Sequence, residues 1–434
     1  MAKDTLKSLR SSVIYSIYVR NHSEEGSFRA VIPDLDRIKA LGTDIIWFMP
    51  IHPIGIKNKK GSLGCPYANR DYRSTNPEYG SMDDFKLLVE EIHKRGMKCM
   101  IDVVYNHTSP DSVLTEEHPE FFYRKADGSM GNRVGDWTDV VDLDYGCKEL
   151  WDYQIESLKM WAEIVDGFRC DVASFIPVEF WCRARAEVEK VHPGFIWLAE
   201  TVHSGFGQYI RKSGMYCGTD SEMFSAFDIE YEYDVREVFD KYIEGRGGKL
   251  SSYIDVLNFQ ECVYPDNYNK LRFLENHDMP RICSFVKDPL ALENLTAFMY
   301  FVKGATLVYA GQEYSNEHLP SLFDKDVFSR DESRDISEWF TRFAEMKKTA
   351  LSDDDHFKGE ADDENEIAIL KRDDNRSFKL GVFSFKGKAA EVKTSLPDGE
   401  YTNLLGGTVR VEGGKLLCTG KPIVIKTDSN EALW

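Results

Sequence analysis

The feature that most constrains the fold is a recurring unit in which a helical segment stops at glycine and passes straight into an apolar run. It reads IKALG-TDIIWFMP at Gly42, IHKRG-MKCMIDVV at Gly96, AEIVDG-FRCDVAS at Gly167 and FVKG-ATLVYAG at Gly304. Glycine suits the residue that closes a helix, because a left-handed backbone there costs other residues a steric penalty. The runs are continuously apolar instead of alternating, the pattern of strands buried on both faces. VIYSIYV, TDIIWFM, MKCMIDVV, GFRCDV, FIWLAE, FSAFDIEY, LRFLE and ATLVYA make eight. Eight βα units over roughly 340 residues predict an α/β chain folded as a (β/α)8 TIM barrel. The helix SMDDFKLLVEEIHKRG opens on Ser81, a candidate N-cap, with Asp84 three residues on, a variant of the capping box.

Four of the runs end in polar, mostly acidic clusters: MKCMIDVVYNH at His107, GFRCDVAS around Asp171, FIWLAET at Glu200 and LRFLENHD at Asp278. One acidic residue after a strand would be explained by capping of the next helix. Four clusters, holding three carboxylates with His107, Arg169 and His277, point to one active site at the C-terminal face of the barrel.

After His107 the chain runs through TSPDSVLTEEHPEFFYRKADGSMGNRVGDWTD without a sustained period. So long an irregular stretch at the catalytic end of a strand is read as a small subdomain, 107–140, walling one side of the cleft. Its aromatic residues Phe121, Phe122 and Tyr123 suit packing at least as well as ligand binding, whereas Trp137 follows glycine-rich turns and is the better candidate for stacking on a ligand. The barrel is assigned to 1–351. Beyond it, SDDDHFKGEADDENE reads as a solvated linker, and IAILKR, KLGVFSF, GTVRV, KLLCTG and KPIVIKT, separated by Asp-Gly and Gly-Gly turns, read as a C-terminal antiparallel β domain over 352–434.

A net charge of −19 argues against nucleic-acid binding, which needs a basic face, and suits a neutral substrate. No run approaches the ~20 apolar residues of a membrane span, and the charged start lacks a signal-peptide core. Nine dispersed cysteines without a CxxC pair read as reduced thiols, which predicts a cytoplasmic protein without a structural zinc.

The four strand-end clusters resemble the four core motifs of the α-amylase family of retaining glycoside hydrolases (glycoside hydrolase family 13). DVVYNH matches the first, GFRCDVAS the second, the Glu of WLAET the third and FLENHD the fourth; GTDIIWFMPI, VDLDY, GATLVYAGQE and CPYANRDY are similar to secondary motifs. The resemblance implies Asp171 as nucleophile, Glu200 as acid/base and Asp278 as a third acid that stabilises the transition state. It implies His107 and His277 as partners of sugar hydroxyls, Tyr67 as an aromatic platform, and Asp102 as a support for Arg169. Retaining hydrolysis needs two carboxyls roughly 5–5.5 Å apart. Arg169, two residues before Asp171, points to the same side of a strand and would hold that carboxylate ionised. The substrate implied is an oligosaccharide, with α-1,4 malto-oligosaccharides favoured. The alternatives are an oligo-1,6-glucosidase, which Val172 and Phe175 resemble, a transglycosylase, or a catalytically dead barrel used for binding; the three carboxylates speak against the last. Asn106 matches a calcium-binding Asn of the family, but Ser174 and Phe175 replace its Lys-His pair, so no metal is expected to be required, with Ca2+ resting on Asn106 alone.

Overall fold

The computed structural model describes residues 2 and 4–429; positions 1, 3 and 430–434 of the expected domains lie outside the described residues. The eight apolar runs form β1 (Val13–Ile17), β2 (Ile45–Phe48), β3 (Lys98–Val103), β4 (Gly167–Cys170), β5 (Ile196–Ala199), β6 (Ile229–Tyr231), β7 (Lys270–Arg272) and β8 (Ala305–Tyr309). They pair in parallel and in sequential order, with β1 bonded to β8, so the sheet closes into a barrel. Inward side chains such as Ile14, Trp47, Met100, Leu198, Tyr231 and Leu307 fill its interior, and the outward set packs against the surrounding helices. The alternation continues to the strand ends. Met100 and Leu198 point inward, so Asp102 and Glu200, two residues further on, also do.

Ser81 caps the helix Met82–Lys94 in a reciprocal box with Asp84. Gly42, Gly96 and Gly304 adopt positive φ as their positions require. Gly167 does not, and the reason for glycine there is different. A Cβ would lie 2.9 Å from the Ile196 carbonyl and from Met100 Cε, so close approach of β4 to β5, and not helix closure, excludes a side chain.

The insertion is pinned at its base by a two-residue antiparallel pair, His107 opposite Asp142 and Thr108 opposite Val141. Phe121 and Phe122 are buried in the packing of the insertion.

The C-terminal part forms two four-stranded antiparallel sheets. One is ordered β9 (His356–Asp362), β10 (Ile367–Asp373), β11 (Ser377–Ser384) and β16 (Ile423–Asp428). The other contains β12 (Ala390–Lys393), β13 (Gly399–Thr402), β14 (Thr408–Glu412) and β15 (Lys415–Cys418), in the order β12-β15-β14-β13. This corrects the reading of SDDDHFKGEADDENE as a solvated linker. His356–Asp362 is an edge strand whose Phe357 is buried, and its charged residues face outward, which is how an edge avoids pairing with another chain.

Asp355 is fully buried between Arg372 Nε at 2.9 Å and the Lys379 ammonium. Arg372 also donates to the carbonyls of Phe301 and Ser352, tying this sheet to the barrel helix Pro289–Phe301. Asp355→Ala leaves buried Arg372 without a carboxylate and Lys379 with Asp374 alone, at 3.3 Å, and is expected to cost about 3–5 kcal/mol in urea unfolding. Asp354→Ala, which removes an exposed pair with Lys7, is expected to cost about 1 kcal/mol or less. Equal small losses for both would contradict this account of the joint.

Candidate active site

The barrel delivers the expected residues to one end. Backbone bonding runs one residue past each strand, from Asp171 N to the Val103 carbonyl and from Glu200 N to the Cys170 carbonyl, 3.0 Å each, so both carboxylates stand on the rim in register. Between them Arg169 is fully buried. Its Nη1 donates at 3.0 Å to both oxygens of Asp102, which lies opposite it on β3, and to Asp171 Oδ1. Its Nη2 lies 2.9 Å from Glu200 Oε2. The rings of Trp47, Tyr231 and Tyr67 surround the guanidinium, with centroids 5.2, 5.3 and 5.7 Å from Cζ. One cation in an aromatic, water-poor cage thus serves three carboxylates.

One positive charge cannot neutralise three. Burial pushes Asp171 and Asp102 upward against the pull of Arg169 and raises Glu200 furthest, to about 8, with repulsion from Asp171 and Asp278 adding to it. The cluster therefore holds a proton that persists into neutral pH, and Glu200 is the carboxyl raised furthest. The position of a proton on Glu200 follows from the contacts. Glu200 Oε2 accepts from the Val172 N–H at 2.9 Å and touches Arg169, so the proton is left to Oε1. Val172 makes that bond from a left-handed backbone at φ 35°, a conformation unusual for a β-branched residue.

Tyr67, His277 and Asp278 close the other side. The Tyr67 hydroxyl lies 3.0 Å from Asp102 Oδ2 and 2.6 Å from His277 Nε2. Its single proton goes to the carboxylate, so it accepts from Nε2–H of the histidine. The two rings stack at 5.4 Å and 8°. Asp278 is the most open of the acids, its side chain 42% exposed, with Oδ2 3.2 Å from His277 Nε2. Burial holds His107 and His277 near 4, hence neutral at ordinary pH. The Asn106 amide lies 3.1 Å from His107 Nδ1; donation there leaves the Nε2–H of His107 as its remaining donor.

All seven expected site residues are gathered here. Six of them, all but Arg169, line a cavity of about 690 Å3, with Arg169 directly beneath it. Trp137 lines it too, packed on His107, Phe175 and Phe206. Sequence reading did not single out Asp139, Lys60, His203, Phe206 and Arg236, which also line the cavity. Lys60 and Asp139 form an ion pair of 3.0 Å between separate loops. Nothing in the local pattern of either residue signals a pairing that only the closed fold creates.

Calcium takes 6–8 oxygens, and two backbone carbonyls near Asn106 are already engaged. The Asn106 carbonyl accepts from Leu143 N–H and the Ser174 carbonyl from Gly218 N–H. Among the described residues no three His, Cys, Asp or Glu side chains converge as a metal site.

The family model of the α-amylase catalytic domain matches residues 14–129 and 134–379. The chain belongs to the α-amylase family. A model of the bacterial α-amylase C-terminal domain matches 358–425 of this family member. The structure is similar to that of an α-amylase from Lactobacillus plantarum, with a TM-score of 0.93 and 45% identity over 97% of this chain and 100% of that one. It is also similar to a noncanonic maltogenic α-amylase from Thermotoga neapolitana, with a TM-score of 0.86 and 31% identity over 98% and 100%. Among curated relatives, a probable oligo-1,6-glucosidase of Bacillus subtilis is 26% identical over 72% of this chain and 66% of its own length. The chain spans about half to two thirds of the length of the curated relatives it matches first.

Proposed function

We propose that this α-amylase-family chain hydrolyses α-1,4-linked malto-oligosaccharides with retention of anomeric configuration. The observation that carries the reading is the grip of Arg169 on two buried carboxyls, Asp171 through Nη1 and Glu200 through Nη2. Held by adjacent nitrogens of one guanidinium, they suit the shorter of the two spacings used by glycosidases. Asp171, with Oδ1 fixed by Arg169, attacks C1 through Oδ2 while Glu200 Oε1 gives its proton to the departing oxygen. This forms a glycosyl ester on Asp171 and frees the reducing-end fragment. The Glu200 carboxylate then takes a proton from water, the water oxygen attacks C1, and Asp171 leaves as carboxylate. Asp278, beside the cleft and partly solvated, binds sugar hydroxyls and stabilises the positive charge that develops at the anomeric centre. Neutral His107 donates from Nε2 to a hydroxyl, and Tyr67 and Trp137 offer faces to the rings.

The likeness to a maltogenic α-amylase supports action on maltosyl chains. Val172, Phe175 and the oligo-1,6-glucosidase relative favour α-1,6 cleavage as the second reading. The nine free cysteines fit a cytoplasmic enzyme that meets soluble oligosaccharides; among the described residues no helix is long and apolar enough to cross a membrane. Product time courses on maltoheptaose, raw starch and isomaltose test the reading. Rapid cleavage of maltoheptaose, slow attack on raw starch and none on isomaltose are expected; preferential cleavage of isomaltose would establish the second reading instead.

A further inference from the structure

A second cavity, of about 280 Å3, lies between the insertion and the helix Ser204–Lys212, with Arg133 and Asp142 in its wall. Asp142 is the residue paired with His107 across the base of the insertion, and its side chain is 3% exposed. One oxygen, Oδ1, is buried without a hydrogen-bond partner. The other, Oδ2, accepts from the backbone N–H of Arg133 at 2.8 Å. The Arg133 guanidinium bends back over the same place. Its Nη1 is 3.7 Å from Asp142 Oδ2 and donates to the Leu143 carbonyl at 3.4 Å, and its Cζ lies 4.1 Å from the centre of the Tyr123 ring.

A buried carboxylate with an unpaired oxygen needs a positive charge close by. Beside Asp142 a divalent ion would find the Asn106 amide oxygen, but it would share the Asn106 and Ser174 carbonyls with the N–H groups of Leu143 and Gly218. The guanidinium, by contrast, is present and stacked on Tyr123, 3.7 Å from the carboxylate. We propose that Arg133 is the cation of this joint. It neutralises Asp142 and fastens the insertion to the end of β3 in place of a metal ion. It is a positioning residue, because Asp142 sits opposite His107 and Trp137 follows Arg133 by four residues in the same loop, so the joint sets two walls of the substrate cavity.

The test is thermal unfolding of the full chain with kinetics on maltotriose. Arg133→Gln is expected to lower the midpoint by several degrees and raise KM more than it lowers kcat. Asp142→Asn added to it should restore most of the midpoint, because the charge that lacked a partner is gone. Arg133→Lys, which keeps the charge, should retain most of the midpoint and of the wild-type KM. For the unaltered protein, EDTA or millimolar calcium chloride should leave the midpoint unchanged. Simple additivity of the two losses would overturn the proposal. So would a wild-type midpoint that falls on chelation and returns with calcium, a measurement that stands even if Arg133→Gln does not fold.

Discussion

Asp171→Ala is expected to lower kcat on maltoheptaose by on the order of 10^4–10^6-fold, the scale on which removal of a covalent nucleophile acts. The fold should survive, because the side chain lies on the rim and Arg169 keeps both oxygens of Asp102 as partners. Azide enters the vacated space and attacks C1 from the same face, so it should restore part of the activity and yield a glycosyl azide of inverted configuration. The measurement is turnover with and without azide beside a melting curve. Near-normal turnover in a clean preparation, or complete loss together with a collapsed melting curve, would each contradict the role assigned to Asp171.

Glu200→Gln separates substrates by leaving group. A sugar alkoxide cannot depart without a proton, whereas a nitrophenolate scarcely needs one, so kcat/KM should fall by about 10^2–10^4-fold on maltotriose and much less on a nitrophenyl maltoside. The pH profile gives an independent reading. Glu200 is raised to about 8, so the protonated acid persists through neutral pH and is lost as pH climbs through that value. Wild-type activity should therefore decline on the alkaline side, and the Gln variant should lose that decline because its amide does not titrate. Equal losses on both substrates with an unchanged alkaline limb would give Glu200 another part.

The barrel could be read from the chain because its strands are buried on both faces, which leaves uninterrupted apolar runs, and because each candidate catalytic side chain follows its strand directly. Asp171 and Glu200 reach the rim two residues beyond the inward-facing Arg169 and Leu198, and strand periodicity alone places them there. The features that escaped depend on partners distant in sequence. Asp355 looks like one more solvated acid in an acidic stretch until Arg372 and Lys379 close around it. The short strands β12 and β13 carry mixed polar patterns too brief to separate from turns. Gly167 sits where helix closure is expected, yet packing against Ile196 is what forbids its side chain. Trp137 was distinguishable from Phe121 and Phe122 because glycine-rich turns precede it, and it alone of the three lines the cavity.

A covalent glycosyl-enzyme on Asp171 can be trapped and located by mass. A fluorosugar maltosyl fluoride, whose electron-poor ring slows both steps while its fluoride leaving group speeds the first, should inactivate the enzyme and add one glycosyl mass. Peptide mapping should place that mass on Asp171. A label on Glu200 or Asp278 would contradict the assignment, and so would a first-formed product of inverted configuration with no adduct.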